Sequence, residues 1–464
     1  MRTFTASTRT AASLFPFVVG SGAPRDGVCV GRHLVWGERV HVDPFAWLGA
    51  GLTTNTGMFH LGQPGTGKSA FAKRQMLGMV DSGVRPVVLG DPKGEYTPVV
   101  EQLGGQVIRV GRGLDRINPL DPQTLRGVPA GEVRGRRLSL LMALCALVRR
   151  DRGLTNGEEV ILGAALDEVA ARTDDPVVPQ VLAALQAPGE RVLSAAQVRT
   201  PADYDTVTQH LRWTLSLLCG GSLAGVFDGP STRAFDPFAP AIAVDLQAVQ
   251  DETLLAAAML CSWAWGQNAV SAALTQDAGS RWLLVLDELW RALRGAPGLV
   301  DHADALTRLN RSRGVASLMV THSLRDLEAL PGAQDVAKAM GFVERSAIVV
   351  LSGLPRRELD VLSRIVPLSH REIALVSSWA SAQSWRAGQR HPGRGKYLIK
   401  TGHRPGLPVA MQLTQAEELL YDTDLPLVSQ THGHRPARQV PVPGRALERQ
   451  QALASFGALH DFDP

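Results

Sequence analysis

Gly62-Gln63-Pro64-Gly65-Thr66-Gly67-Lys68-Ser69 is the stretch that decides the fold. It fits the pattern G-x-x-x-x-G-K-[ST], and it lies between an apolar strand signal at 58–61 and a segment of helical spacing at 69–80 that ends near Gly83. Strand, loop and helix in that order give the pattern a mechanical meaning. The glycines let successive backbone N–H groups turn inward around phosphate oxygens, and the helix N-terminus, with Ala70 in its first turn, adds partial positive charge. Lys68 is placed to reach the β- and γ-phosphates, and the Ser69 hydroxyl to ligate Mg²⁺. Basic residues number 48, only six of them lysine, so a lysine-bearing motif is hard to produce by chance here.

Outward from this loop, apolar strand signals recur at 85–90, 106–110, 241–246, 282–286, 316–321 and 347–352, separated for the most part by segments long enough for a helix. This alternation predicts an α/β fold with a mostly parallel sheet of about seven strands. Ligands of such sheets bind beyond the carboxyl ends of the strands, and three of these ends carry chemistry. The strand at 282–286 ends in Asp287-Glu288, which places Asp287 beside a Mg²⁺ shell and Glu288 beside an attacking water. Helix capping is the plainer reading of that pair. The strand at 85–90 ends in Asp91-Pro92-Lys93-Gly94-Glu95-Tyr96, where Lys93 and Glu95 fit either a nucleotide site or a solvated turn pair. The strand at 316–321 ends in Thr321-His322, where His322 fits either a sensor of γ-phosphate or attacking water or a satisfied structural histidine, and is preceded by Arg308, Arg311 and Arg313, which fit either an arginine offered to a neighbouring subunit or an ordinary basic face.

Between 124 and 214 the strand signal disappears and helical spacing dominates, which predicts an all-helical insertion. The motifs lie on either side of it, so the phosphate site is expected not to need it. Residues 1–56 read as an edge segment with a hairpin, 57–123 and 215–425 as the two parts of one nucleotide-binding domain closed by a hairpin at 396–413, and 426–464 as a basic, Pro-rich tail. Hydrophobic residues make up 45% and charged residues 20%, ordinary for a globular chain. No apolar run approaches the ~20 residues of a membrane span, and no secretory leader is evident, so the expected compartment is the cytoplasm. The four cysteines are widely spaced, which argues against a zinc site or a disulfide framework. A net charge of +4 favours polyanions only mildly.

Taken together, the phosphate loop, Asp91 to Tyr96, a helical insertion, Asp287-Glu288-Leu289-Trp290, an arginine-bearing segment and Thr321-His322 resemble the FtsK/HerA superfamily of ring ATPases. Within it the chain is similar to the TraC-type (VirB-four-like) ATPases of conjugative type IV secretion systems. Further stretches support the likeness, among them Ile117-Asn118-Pro119, Asp228-Gly229-Pro230 and Gly395-Lys396-Tyr397. The resemblance implies a RecA-like sheet, ATP and Mg²⁺ as ligands, a homo-hexamer, and partners among the inner-membrane components of a secretion channel at the inner face of the cell membrane, with DNA a further candidate. It implies Arg311, then Arg313, as the residue acting across the subunit boundary. Two departures stand out: about 55 residues precede the loop where family members carry a substantial domain, and His322 stands where the family has Gln. The alternatives to a secretion motor are a DNA-pumping motor and a structural ring that uses nucleotide only to stabilise itself; a small-molecule phosphotransferase fits least well.

Overall fold

A computed structural model describes residues 22–149, 153–288, 293, 300, 314–330, 332–380, 391 and 393–421. Arg308, Arg311, Arg313 and the tail at 426–464 lie outside the described residues. The strands are β1 (Val28–His33), β2 (Arg39–Val42), β3 (Gly57–Leu61), β4 (Val84–Asp91), β5 (Gln106–Arg109), β6 (Ile242–Asp245), β7 (Arg281–Leu286), β8 (Val315–Thr321), β9 (Ile348–Leu351), β10 (Lys396–Lys400) and β11 (Leu407–Ala410). They form one 11-stranded sheet in the order β2-β1-β11-β10-β9-β3-β8-β7-β4-β6-β5.

The run from β9 to β5 is parallel throughout, and every strand of it was expected from the apolar runs. The two hairpins extend it antiparallel beyond β9, with β10 on β9 and β1 on β11. Strands β3, β6, β8 and β9 are buried along their whole length, which is why they read as continuous apolar runs: both faces are covered.

One face packs Met58, Val88, Leu283 and Val350 against Phe71 and Met76 of the helix Lys68–Asp81. The other packs Phe59, Leu61, Val87 and Leu284 against the helix Glu252–Gln276 and the segment that follows β5. That 25-residue helix is buried almost all round because it lies between two layers, the sheet and the helical segment. Trp263 on it donates its indole N–H to Leu89 O at 2.7 Å, while Asn268 accepts from Arg136 at 2.8 Å.

Between β5 and β6 the described residues form the helices Ala130–Val148, Asn156–Ala170, Val178–Gln186, Glu190–Ala196 and Pro201–Cys219, with no strand among them. The helix Glu190–Ala196 is not legible in the sequence, and the last helix runs past 214. The segment does not form a core of its own: Leu144, Leu162, Leu211 and Leu215 belong to the same apolar cluster as Phe59 and Leu284. A Thr155/Glu158 capping box starts the helix Asn156–Ala170, and Arg149 grips the same Glu158 carboxylate through two bonds of 2.9 and 2.6 Å, tying consecutive helices together.

Candidate functional site

The phosphate loop leaves β3 beside the ends of β8 and β9, since Leu61 pairs with both Thr321 and Leu351. Its glycines have separate jobs. A Cβ on Gly62 would lie 2.4 Å from Ser352 Cβ, so only glycine lets the loop pass the end of β9. Gly65 (φ +78°) and Gly67 (φ +97°) take left-handed conformations that turn the chain back toward the helix. Neighbouring backbone then braces the loop: Gln63 N–H donates to Gly353 O at 3.0 Å, Gly395 N–H to Thr66 O at 3.0 Å and the Tyr397 hydroxyl to Gly67 O at 2.8 Å. Thr66 closes it internally by donating to Gln63 O at 2.7 Å, while Pro64 and Gly65 sit exposed at its tip.

The helix Lys68–Asp81 begins at Gly67 without any side-chain cap. Its first N–H groups therefore point from the loop with no capping acceptor, the arrangement that receives an anion. Ser69 and Ala70 are half-buried in that first turn. Lys68 is buried and folded back on Gln63 O at 3.1 Å, and burial pulls its ammonium down to about 8 despite Asp287 and Glu288 nearby. Behind the loop, buried His60 meets Ser352 Oγ at 2.7 Å and packs edge-on against Phe71 and Tyr397. Burial holds its imidazole well below its ordinary pKa, which keeps it neutral packing for the loop.

Asp287 and Glu288 follow β7 at the same carboxyl edge, both buried. Burial raises the Asp287 carboxyl, although it accepts from the Tyr96 hydroxyl at 2.6 Å and from the Glu288 N–H at 2.8 Å. Glu288 sits at φ +53°, a left-handed conformation that costs a non-glycine residue about 1 kcal/mol or more. Burial alone would raise its carboxyl, but His322 Nε2 at 3.1 Å and a close ion pair with Lys93 outweigh burial and hold it well below the usual carboxylate range. An ionised carboxylate only accepts, so His322 carries its proton on Nε2 in this contact.

The structure thus brings Lys68, Lys93, Asp287, Glu288 and His322 to one edge around the loop. Lys93 was open to two readings, and the fold places it chiefly on Glu288, with Glu95 farther off at 4.0 Å. Glu95 lies between Lys93 and the buried Lys73, 3.9 Å from the latter. Inspection of the sequence did not single out Tyr96, His60 or Tyr397 as site residues. Tyr96 and Tyr397 lie in stretches that resemble the ring ATPases, and His60 alternates with Phe59 and Leu61 on the helix side of β3, the one legible signal for it.

No family model matches the sequence, and a search of curated proteins gives no match. Among solved structures the chain is similar to VirB4 of Thermoanaerobacter pseudethanolicus, with a TM-score of 0.66 and 21% identity over 86% of this chain and 99% of that one. It is similar also to the bacterial conjugative coupling protein TrwB in its unbound form, with a TM-score of 0.53 and 14% identity over 78% of this chain and 86% of that one. TrwB in complex with ADP and Mg²⁺ matches at a TM-score of 0.52 over the same shares. The chain therefore has the fold of VirB4 and TrwB, a RecA-like, mostly parallel α/β sheet with a phosphate loop after its central strand.

Proposed function

We propose that this chain is an ATP-hydrolysing ring motor that energises substrate transfer or channel assembly in a conjugative type IV secretion system. One observation carries the reading: an uncapped phosphate-loop helix faces Asp287, Glu288 and His322 across one sheet edge. The likeness to VirB4 and to the coupling protein TrwB, the latter solved with ADP and Mg²⁺, supports the nucleotide and the setting. With it goes a division into a nucleotide-binding domain at 57–123 and 215–425, an edge segment at 1–56, a helical insertion at 124–214 and a tail at 426–464.

The residues suit the ligands. The uncapped helix N-terminus would hold the phosphates with Lys68, and the hard oxygen donors of Ser69 and Asp287 suit Mg²⁺. The ion, when bound, neutralises charge on the β- and γ-phosphate oxygens. Glu288 orients the attacking water and accepts its proton. In the free site Lys93 and His322 both hold its carboxylate, and phosphate charge arriving beside them competes for the Lys93 ammonium and the His322 N–H, which frees Glu288 as the substrate docks. Arg311, or Arg313, completes the neighbour's site in a homo-hexamer at the inner face of the membrane, where channel components are the partners.

The test is phosphate release with and without single-stranded DNA. Turnover by wild type that is lost in Glu288→Gln supports the motor. Stimulation by DNA that falls steeply with salt moves the reading to a DNA pump, and nucleotide binding with zero turnover moves it to a structural ring.

A further inference from the structure

We infer that Tyr96 is a positioning residue for Asp287: its hydroxyl holds that carboxylate in the orientation that receives the divalent cation. The inference deepens the nucleotide-hydrolysing reading above and rests on it.

Asp287 follows β7 as the strand ends, and the local backbone among the described residues restrains it through the bond from the Glu288 N–H to Oδ1 at 2.8 Å. A carboxylate held by a single neighbouring amide still turns about its Cβ–Cγ bond, and in a buried site it would turn away from wherever a ligand must sit. Oδ2 is fixed from a distant part of the chain, by the Tyr96 hydroxyl at 2.6 Å. Among the described residues each oxygen has one donor, which leaves each a lone pair for a ligand. No ion pair to Asp287 is found among the described residues, so the buried anion is held by two neutral donors, a setting that a hard cation completes.

Tyr96 is itself well anchored. It is fully buried, its N–H donates to Asp91 Oδ2 at 2.7 Å, and the Lys73 ammonium lies 5.9 Å from its ring. The next residue, Thr97, is tied to Asp245 at 3.1 Å. Asp91 reaches Tyr96 because the register of β4 against β6 shifts between Val88 and Asp91, around Gly90 at φ +93°. If the ring served only as packing, phenylalanine would fill the same space; the hydroxyl is therefore the informative group.

The experiment titrates Mg²⁺ into the full chain with a fluorescent ADP analogue and reads the Mg²⁺ concentration at half-maximal binding. Groups that orient a metal ligand typically matter by roughly 10- to 100-fold in affinity, so Tyr96→Phe is expected to raise this midpoint by about that factor, while binding in EDTA stays as in wild type. In an Asp287→Asn background Tyr96→Phe should add nothing, because the partner it acts through is already altered. Asp91→Ala frees the Tyr96 N–H and should move the midpoint in the same direction, which keeps the test available if the phenylalanine variant does not fold. A lower melting temperature with an unchanged Mg²⁺ midpoint, in whichever of these variants folds, overturns the inference and leaves Tyr96 a packing residue. Wild-type protein that binds no nucleotide, or binds it equally with and without Mg²⁺, overturns the nucleotide reading instead.

Discussion

Lys68 carries two of the sharpest expectations. Its ammonium is the group in the loop that supplies full charge to the phosphates, so Lys68→Ala should abolish nucleotide binding or turnover, whereas Glu288→Gln keeps the shape of the site and should bind normally while losing about 10²-fold or more in rate. Equilibrium binding and phosphate release, measured on both variants, separate the two roles; normal hydrolysis by Glu288→Gln would remove Glu288 as the base. The second expectation concerns pH. Because burial pulls Lys68 down to about 8 from 10.5, the free protein gives up this charge as pH rises past 8, and a bound phosphate restores it. Binding at about pH 8.5 should therefore take up a proton and binding at about pH 6.5 should not, as read by calorimetry in buffers of different ionisation enthalpy. The sign for folding is the reverse of that for a paired lysine. The unfolded chain holds this proton more tightly, so the depression is without cost above about pH 10.5, lowers stability as pH falls from there to about 8, and is constant below.

At the scale of elements, β4 matters more than its length suggests. The irregularity before Asp91 directs Leu89 O to Trp263 and sends the Asp91–Tyr96 loop back over β7, where Lys93 meets Glu288 and Tyr96 meets Asp287. Trp263→Phe keeps most of the buried ring but leaves the Leu89 carbonyl without its donor, at a cost of about 1–3 kcal/mol. Chemical denaturation should show that loss, and turnover should fall along with stability because the loop is seated on the same strand. A variant that loses stability with full activity would show that the irregularity does not position the loop. The sequence marks β4 by its apolar run and the loop by its charges, and Gly90 is a local hint of an irregularity whose partner strand it does not name. A bulge is a property of the pair of strands, not of either one alone.

At the scale of the whole molecule, the helical segment and the sheet share one apolar cluster across the helix Glu252–Gln276. Deleting 124–214 would expose that helix along the side the segment covers, so although the motifs lie elsewhere in the chain, the shortened protein is expected to aggregate or bind a hydrophobic dye strongly; a monodisperse, nucleotide-binding product would show two separable units. Ring assembly supplies the other test. Arg311→Ala should bind ATP nearly normally but turn over poorly, and mixing it with Lys68→Ala should recover activity that neither shows alone, since a guanidinium across an interface can be worth ~10³ or more in rate. Absence of rescue in rings shown to be mixed would leave Arg311 an ordinary surface residue.

The phosphate loop, the seven parallel strands, both hairpins and the strand-end carboxylates were all legible in the chain itself. Each depends on residues within a few positions of one another: the turn chemistry of Gly65 and Gly67, the unbroken apolar runs of strands covered on both faces, and a carboxylate where such a run stops. What only the tertiary structure decided is which strand ends meet. Tyr96 and Asp287 are 191 positions apart, Gly67 and Tyr397 are 330, and His60 and Ser352 are 292. Those meetings follow from strand order, set by crossovers that bury the two sheet faces at once and have no counterpart in any local pattern. The ionic state of Glu288 belongs to the same class, because it depends on Lys93 and His322 arriving from the ends of two other strands beside its buried carboxylate.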